Sequence, residues 1–185
     1  MGLLNRRDEF GLVTRLIHWT MMLLVIGQLA LGLRIADLEP GLANLWLYGL
    51  HKSIGLGVLV LILARIGWHL LSPPPVPLGP RNAAFWAARA AHWALYALLI
   101  AIPLAGWAGS SATGIDIMIA DRWTLPALVA PSEAGEAFWF RLHDMLAKLL
   151  MALITLHMLG AFKREMEGDG TLTRMIRGKS GRSGQ

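Results

Sequence analysis

Four long apolar runs are the feature of the sequence that most limits how the chain can fold. A bilayer core needs about 20 predominantly apolar residues per helix, and each run meets that length. Hydrophobic residues make up 55% of the 185 residues and charged residues only 16%, which exceeds the apolar content of an ordinary soluble domain. The sequence therefore predicts an all-α integral membrane four-helix bundle, with spans at about 16–36, 48–71, 90–112 and 142–162.

The distribution of basic residues predicts how the spans are oriented. An even number of spans places both termini on one side of the membrane. Twelve of the 17 Lys and Arg residues fall on that side, and short loops rich in these residues stay cytoplasmic. Both termini are therefore predicted to be cytoplasmic. The basic residues lie at the ends of apolar runs and not in a patch interleaved with aromatic residues, so the predicted partner is membrane lipid and not nucleic acid.

The sequence predicts a single transmembrane domain, residues 1–178, followed by a disordered tail. The tail, residues 179–185, contains only Gly, Ser, Gln and basic residues and has nothing apolar to bury. The first span loosely resembles a signal peptide, but its apolar stretch is longer than the usual 7 to about 15 residues, so we expect it to be retained. The long connection from Gly109 to Phe140 is predicted to cover the outer surface as a cap.

Cysteine and histidine usage limits the possible metal chemistry. The chain has no cysteine, which excludes disulfides, thiolate metal sites, iron–sulfur clusters and covalent c-type haem attachment. Ionisable side chains inside a span are costly and by default mark a functional site. The six histidines form two layers: the outer ends of the spans carry His51 and His143, and the inner ends carry His18, His69, His92 and His157.

The spacing of His143 and His157 in the fourth span indicates what these layers bind. The two residues are 14 positions apart. On an α-helix this is a rise of about 21 Å and a rotation about 40° short of whole turns, so both point to nearly one face. Imidazoles placed in this way suit two stacked haem groups, whereas zinc requires ligands that converge on one point. The outer layer has only one other histidine, so His51 and His143 are predicted to ligate an outer haem, and four candidates remain for an inner one.

The same 14-residue step reaches glycine on two other spans. It leads from His18 to Gly32 and from His92 to Gly106. Because glycine lets a backbone approach a flat ring closely, both positions are predicted to border a porphyrin.

From His51 the step leads to Arg65. A guanidinium at that depth costs about 2.5–3.5 kcal/mol unless it is satisfied, and a haem propionate is a natural bidentate partner. Arg65 is therefore predicted to bind the inner haem. Gly55, one turn after His51, is predicted to give room to the outer ring.

The histidines lie in recognisable local motifs, and R-x-x-H-W opens both the first and the third span. The stretches RLIHW (15–19), GLHKSIG (49–55), AHWALY (91–96), AIPLAG (101–106) and DGTLTRM (169–175), with the two histidines of the fourth span, resemble the bacterial cytochrome b561 family. These are short four-helix dihaem cytochromes of the bacterial inner membrane. The resemblance covers residues from about Thr14 to Met175, and its specificity comes from five histidines across four spans.

The resemblance implies two non-covalent haem b groups and their ligands. The outer haem would be held by His51 and His143, and the inner haem by His18 and His157. The internal repeat offers an alternative in which the inner pair is His18 with His92.

Three further residues are interpreted through the same resemblance. His92 matches a family histidine, which is expected to line a quinone site or to contact the inner haem. Arg15, in the motif that contains His18, is predicted to contact a cofactor. His69 has no counterpart in the family pattern and is interpreted as incidental.

Two histidines on each iron leave no open coordination position, which favours electron transfer over oxygen binding. The leading hypothesis is a membrane oxidoreductase that passes electrons between a quinone and an outer-face donor; the resemblance includes enzymes that oxidise superoxide and reduce ubiquinone. The alternative is a non-catalytic haem b subunit that docks to a redox protein such as a dehydrogenase or hydrogenase. A third possibility is a haem-free bundle with a role in transport or assembly.

Overall fold

The computed structural model describes residues 2–39, 41–115, 117–119 and 122–179. Within these residues the chain forms an all-α integral membrane bundle, as predicted, because four of its helices are long and apolar enough to cross a membrane. The helices are α1 (Leu12–Ala36), α2 (Leu45–Leu71), α3 (Ala83–Ala112), α4 (Glu133–Met166) and the short α5 (Thr171–Arg177).

Each predicted span lies inside one long helix, and the helices extend beyond the spans. The largest extension is in α4, which begins at Glu133, whereas its predicted span begins at about residue 142. Hydropathy detects only the apolar part of a helix. The first turn of α4 carries Glu133 and Glu136, whose carboxylates suit the positive end of the helix dipole in water.

Contacts divide the chain into two compact units, and each long helix contributes one segment to each unit. The first unit contains the described residues up to Met22, Leu61–Tyr96 and those from Ala152 onward. The second unit contains Leu23–Val60 and Ala97–Met151.

In the second unit, part of the predicted cap folds into a small antiparallel hairpin. Strand β1 (Ile117–Ile119) pairs with β2 (Trp123–Leu125). The connection is attached to α3, because the indole nitrogen of Trp107 donates to the carbonyl of Pro126 over 3.0 Å. The sequence predicted a covering segment here but not its strands.

In the first unit, the segment after α4 is attached to the rest of the unit. The carboxylate of Glu165 accepts hydrogen bonds from the backbone nitrogens of Leu172 and Thr173, at 2.7 and 3.0 Å, at the start of α5. Arg174 is only 3% exposed, and its guanidinium donates to the carbonyl of Val76 over 2.9 Å. Helix α5 is therefore attached by a hydrogen bond to the proline-rich segment between α2 and α3.

The predicted disordered tail falls mostly outside the described residues. Its first residue, Lys179, lies 3.2 Å from the carboxylate of Glu9. Residues 180–185 lie outside the described part of the chain, so disorder there stays a prediction.

Candidate functional site

The second unit brings His51 on α2 and His143 on α4 together. Their ring centres lie 6.1 Å apart. A metal–nitrogen bond of about 2 Å on each side, with about 1 Å from each nitrogen to its ring centre, requires a separation of about 6 Å. Nδ1 of His143 donates to the carbonyl of Ile102 over 2.8 Å, because a carbonyl can only accept. This hydrogen bond leaves Nε2 of His143 unprotonated and able to ligate a metal.

Glycines on α1 and α3 make room for these two imidazoles. A Cβ at Gly32 would lie 3.2 Å from Cε1 of His51, and a Cβ at Gly106 would lie 2.9 Å from Nδ1 of His143. Both glycines therefore accept a histidine ring from a neighbouring helix. Sequence analysis assigned them to a porphyrin, and that second role stays a prediction.

A polar contact that sequence analysis missed also holds the backbone at His51. Nε2 of Gln28 donates to the carbonyl of His51 over 2.7 Å. A Cβ at Gly55 would lie 3.2 Å from the same Nε2, so Gly55 leaves space for the amide of Gln28. The signal was present in the sequence, because Gln28 is the only strongly polar side chain in the middle of the first apolar run.

The first unit brings together three histidines, His18, His92 and His157, from α1, α3 and α4. The ring of His157 lies 6.5 Å from that of His18 and 5.1 Å from that of His92. Nδ1 of His92 donates to the carbonyl of Ala88 over 2.7 Å, which leaves its Nε2 unprotonated. The separation of His18 and His157 is similar to that of His51 and His143 in the second unit. The 5.1 Å between His92 and His157 leaves too little room for a metal with a nitrogen bond on each side.

A chain of hydrogen bonds links Arg65 to three other side chains of the first unit. Nη1 of Arg65 donates to Nδ1 of His18 over 3.1 Å, and Nε lies 2.9 Å from the hydroxyl of Tyr96. The same hydroxyl lies 3.2 Å from Nδ1 of His69. The sequence pattern does not indicate Tyr96 and predicts no role for His69, although His69 follows Arg65 by four residues and so lies on the same helix face.

The contact between Arg65 and His18 decides which ring nitrogen of His18 carries the proton. A guanidinium donates and never accepts, so Nδ1 of His18 is the acceptor and the proton of a neutral ring lies on Nε2. Ligation through Nε2 requires that nitrogen to be unprotonated. His18 therefore keeps this contact with Arg65 or ligates a metal through Nε2, but does not do both.

Arg15 lies among residues of the C-terminal segment. Its guanidinium donates to the carbonyl of Ile176, and the indole nitrogen of the nearby Trp19 donates to the carbonyl of Met175 over 3.2 Å. The predicted contact between Arg15 and a cofactor stays a prediction.

The donor set fits haem iron better than a bare metal ion. No group of three His, Cys, Asp or Glu side chains in the described ranges is arranged to hold a metal ion. Paired imidazoles, by contrast, supply the two axial ligands of a haem iron. Paired histidines on membrane-spanning helices thus define the class of haem-binding membrane cytochromes.

The comparison with known proteins agrees with this class. The chain belongs to the prokaryotic cytochrome b561 family, whose sequence model matches residues 9–178. It is 35% identical to "Cytochrome b561 homolog 2" of Escherichia coli (strain K12) over 185 residues, 97% of each chain. It is also 30% identical to "Probable superoxide oxidase CybB" of Yersinia pestis over 172 residues, 89% of this chain and 94% of the relative.

Membership of the family establishes the general character of the protein. It is a membrane haem b protein of electron transport, and it is a multi-pass protein of the bacterial inner membrane. The predicted family and location are therefore confirmed.

Proposed function

We propose that this protein carries two haem b groups and passes electrons from an outer-face donor to a quinone in the membrane. The donor we propose is superoxide, which would make the protein a superoxide:ubiquinone oxidoreductase. The observation that supports this most directly is the presence of one suitably spaced imidazole pair in each unit. The name of the relative from Yersinia pestis supports the choice of donor.

In this proposal each pair holds one iron. His51 and His143 hold the haem of the second unit, and His18 and His157 hold that of the first. When bound, haem supplies a reversible one-electron redox change. Two imidazoles on each iron would leave no position open for oxygen, which favours electron transfer.

The chain contributes the orientation of its ligands. The hydrogen bond from Nδ1 of His143 to Ile102 fixes both the tautomer and the plane of the ring. Gly106 lets that ring lie against α3, and Gly32 does the same for His51 on α1. The ligands of the second unit are thus held in position by the protein itself, which lowers the cost of binding the cofactor.

Arg65 is the proposed partner of a haem propionate in the first unit. A guanidinium in this part of a span requires acceptors, and a carboxylate is a stronger acceptor than a neutral imidazole. If Arg65 turns toward the propionate, it releases Nδ1 of His18. The proton of His18 can then lie on Nδ1, and Nε2 becomes available to the iron.

We also propose that both termini are cytoplasmic, which places His51 and His143 near the outer face. A local cluster of basic side chains near the outer haem would then attract an anion such as superoxide, while the outer face as a whole carries seven acidic and five basic residues. The basic residues of this cluster include Arg34, Lys52, Arg122 and Arg141. Lys148 is a weaker candidate, because it pairs with Asp144 at 2.7 Å.

The first experiment is spectroscopic and tests the cofactor content. The purified protein is expected to give b-type bands in a reduced-minus-oxidised spectrum and two haems per chain by pyridine haemochrome assay. One haem per chain would contradict the dihaem arrangement.

The second experiment tests the donor. Purified protein with ubiquinone is expected to consume superoxide faster than the His51→Ala variant. Lys163→Ala serves as the control, because Lys163 is exposed and pairs only with Glu167 among the ion pairs observed in the described residues. Equal rates for wild type and His51→Ala would exclude the proposed enzyme activity.

An alternative function, as an electron-transfer subunit, is favoured by the exposed apolar side chains of the outer connection. Trp123 and Met118 in the hairpin are 62% and 45% exposed, and Ile115 precedes them. Such a surface suits docking of a redox protein. Co-purification with a large soluble dehydrogenase or hydrogenase subunit would support this alternative.

A further inference from the structure

The first unit contains a buried hydrogen-bond donor that the proposed electron path does not use. Nε2 of His69 is buried and has no hydrogen-bond partner among the described residues. Buried polar groups are nearly always paired, so one that lacks a partner needs an explanation. We propose that His69 binds the quinone headgroup, with its Nε2–H donating to a quinone carbonyl, and this inference depends on the proposed function.

The proposal places the proton of His69 on Nε2, in agreement with the hydrogen-bond chain that starts at Arg65. Arg65 can only donate, so the hydroxyl oxygen of Tyr96 accepts from its Nε over 2.9 Å. The single proton of that hydroxyl is available for donation to Nδ1 of His69 over 3.2 Å, and the proposal assigns the bond this direction. With Nδ1 as acceptor, a neutral His69 carries its proton on Nε2. Arg65 and Tyr96 thus act as positioning residues that set the tautomer of His69.

The position of His69 suits a ligand that enters from the lipid. His69 lies in the last turn of α2, and the two residues that follow it, Leu70 and Leu71, are 80% and 81% exposed. Exposed apolar side chains at the end of a membrane-spanning helix suit contact with lipid. The neighbouring polar group is already satisfied, since the indole nitrogen of Trp68 donates to the hydroxyl of Thr14 over 2.9 Å. The donor that remains for a ligand is Nε2 of His69.

The chemistry of this donor favours a quinone carbonyl as acceptor. A neutral N–H matches a neutral carbonyl oxygen, and a quinone has a lipid-soluble tail that reaches such a position. An anionic lipid phosphate would instead be expected to recruit a guanidinium, and Arg65 is engaged through Nε by Tyr96 and, in the proposed haem-loaded protein, by a propionate. The quinone site at His69 is distinct from one at His92, for which the family resemblance leaves two roles open, at a quinone site or beside the inner haem.

The test is equilibrium binding of ubiquinone-1 to the haem-loaded protein in nanodiscs, measured by quenching of tryptophan fluorescence. His69→Phe removes the donor and is expected to raise the Kd about tenfold, the loss of one hydrogen bond. His69→Gln restores an N–H donor and is expected to stay within about threefold of wild type. Tyr96→Phe keeps His69 but frees its tautomer, so an intermediate Kd is expected.

Two outcomes would overturn the proposal. One is an unchanged Kd for His69→Phe together with a raised Kd for His92→Phe, which would assign the quinone to His92. The other is an unchanged Kd for His69→Phe with weaker retention of phosphatidylglycerol, which would assign the donor to a lipid phosphate. Binding is measured without electron transfer, so failure of the superoxide assay does not affect this result. A raised Kd with no superoxide consumption would support the quinone site and exclude only the proposed donor.

Discussion

Nη1 of Arg65 on α2 donates a hydrogen bond to Nδ1 of His18 on α1 over 3.1 Å. The bond joins a partly buried cation to a residue that we propose as a haem ligand, and it holds the imidazole in the tautomer that cannot ligate through Nε2. In the proposed arrangement, haem binding by His18 would therefore depend on the position of this guanidinium.

Replacing Arg65 by Leu is expected to weaken haem binding in the first unit and to leave the second unit unchanged. The variant loses a charge-assisted hydrogen bond to a propionate, which is worth about 2 kcal/mol, or roughly thirtyfold in affinity. Haem stoichiometry measures the occupancy of the two units, and a redox titration measures the potential of each haem. Arg65→Lys keeps the charge and is expected to lose less haem. Unchanged occupancy and potential of both haems in Arg65→Leu would contradict the assignment.

A methyl group at position 106 is expected to displace the ring of His143. The Cβ of Ala would lie 2.9 Å from Nδ1, closer than real Cβ atoms approach, so the ring must move and lose its hydrogen bond to Ile102. Gly106→Ala should therefore reduce the haem content to about one per chain, because ligand geometry tolerates errors of only about 0.5 Å.

The matched control for this substitution is Gly57→Ala. Nothing lies within 4 Å of a Cβ at Gly57, which is also helical. Alanine is a better helix former than glycine by about 1 kcal/mol, so the control should keep both haems and be no less stable. Equal haem content in the two variants would show that the clearance at Gly106 is unimportant.

The ligands of the first unit can be separated by single substitutions. His157→Ala is expected to lose one haem, because His157 is common to both short ring separations in that unit. His92→Ala is expected to retain two haems per chain, because the 6.5 Å pair contains His18 and His157. Pyridine haemochrome analysis gives the count. Two haems without His157 would refute the ligand set.

The attachment of α5 is expected to depend on pH through Asp169. Partial burial raises the pKa of Asp169, but hydrogen bonds from Thr171 and Arg164 outweigh it and hold the pKa below its ordinary value. A lowered pKa in the folded state means that the stabilisation is present above the unfolded value of about 3.9. This stabilisation is lost as the pH falls through the lowered pKa of Asp169 in the folded protein.

This pH dependence can be measured by hydrogen exchange of the amides of α5, corrected for intrinsic exchange rates. Asp169→Asn should lower protection at pH 7 by on the order of 0.5 kcal/mol, the size expected for a pair partly open to solvent. Wild type and variant should converge only when the pH is well below the lowered pKa of Asp169 in the folded protein, where both side chains are neutral. A difference that persists at that pH would show that the effect does not come from the charge of Asp169.

Local sequence patterns were sufficient to predict the secondary structure of the membrane-embedded part. Apolar length alone determines that a segment crosses the bilayer as a helix, because backbone polar groups have no other partner there. The same reasoning did not locate the start of α4 or the two strands of the hairpin, Ile117–Ile119 and Trp123–Leu125, because hydropathy carries little information where water can satisfy the backbone.

The sequence alone determined that four helices cross the membrane and that histidines lie near their ends, since both follow from the chemistry of single residues and from helix periodicity. The tertiary structure decided which side chains meet. Gly32 and Gly106 face imidazoles of other helices, and Tyr96 connects Arg65 to His69, a residue without a role in any sequence pattern. These contacts depend on the rotation and approach of separate helices. Packing between distant segments sets both, and a linear pattern along one helix does not contain them.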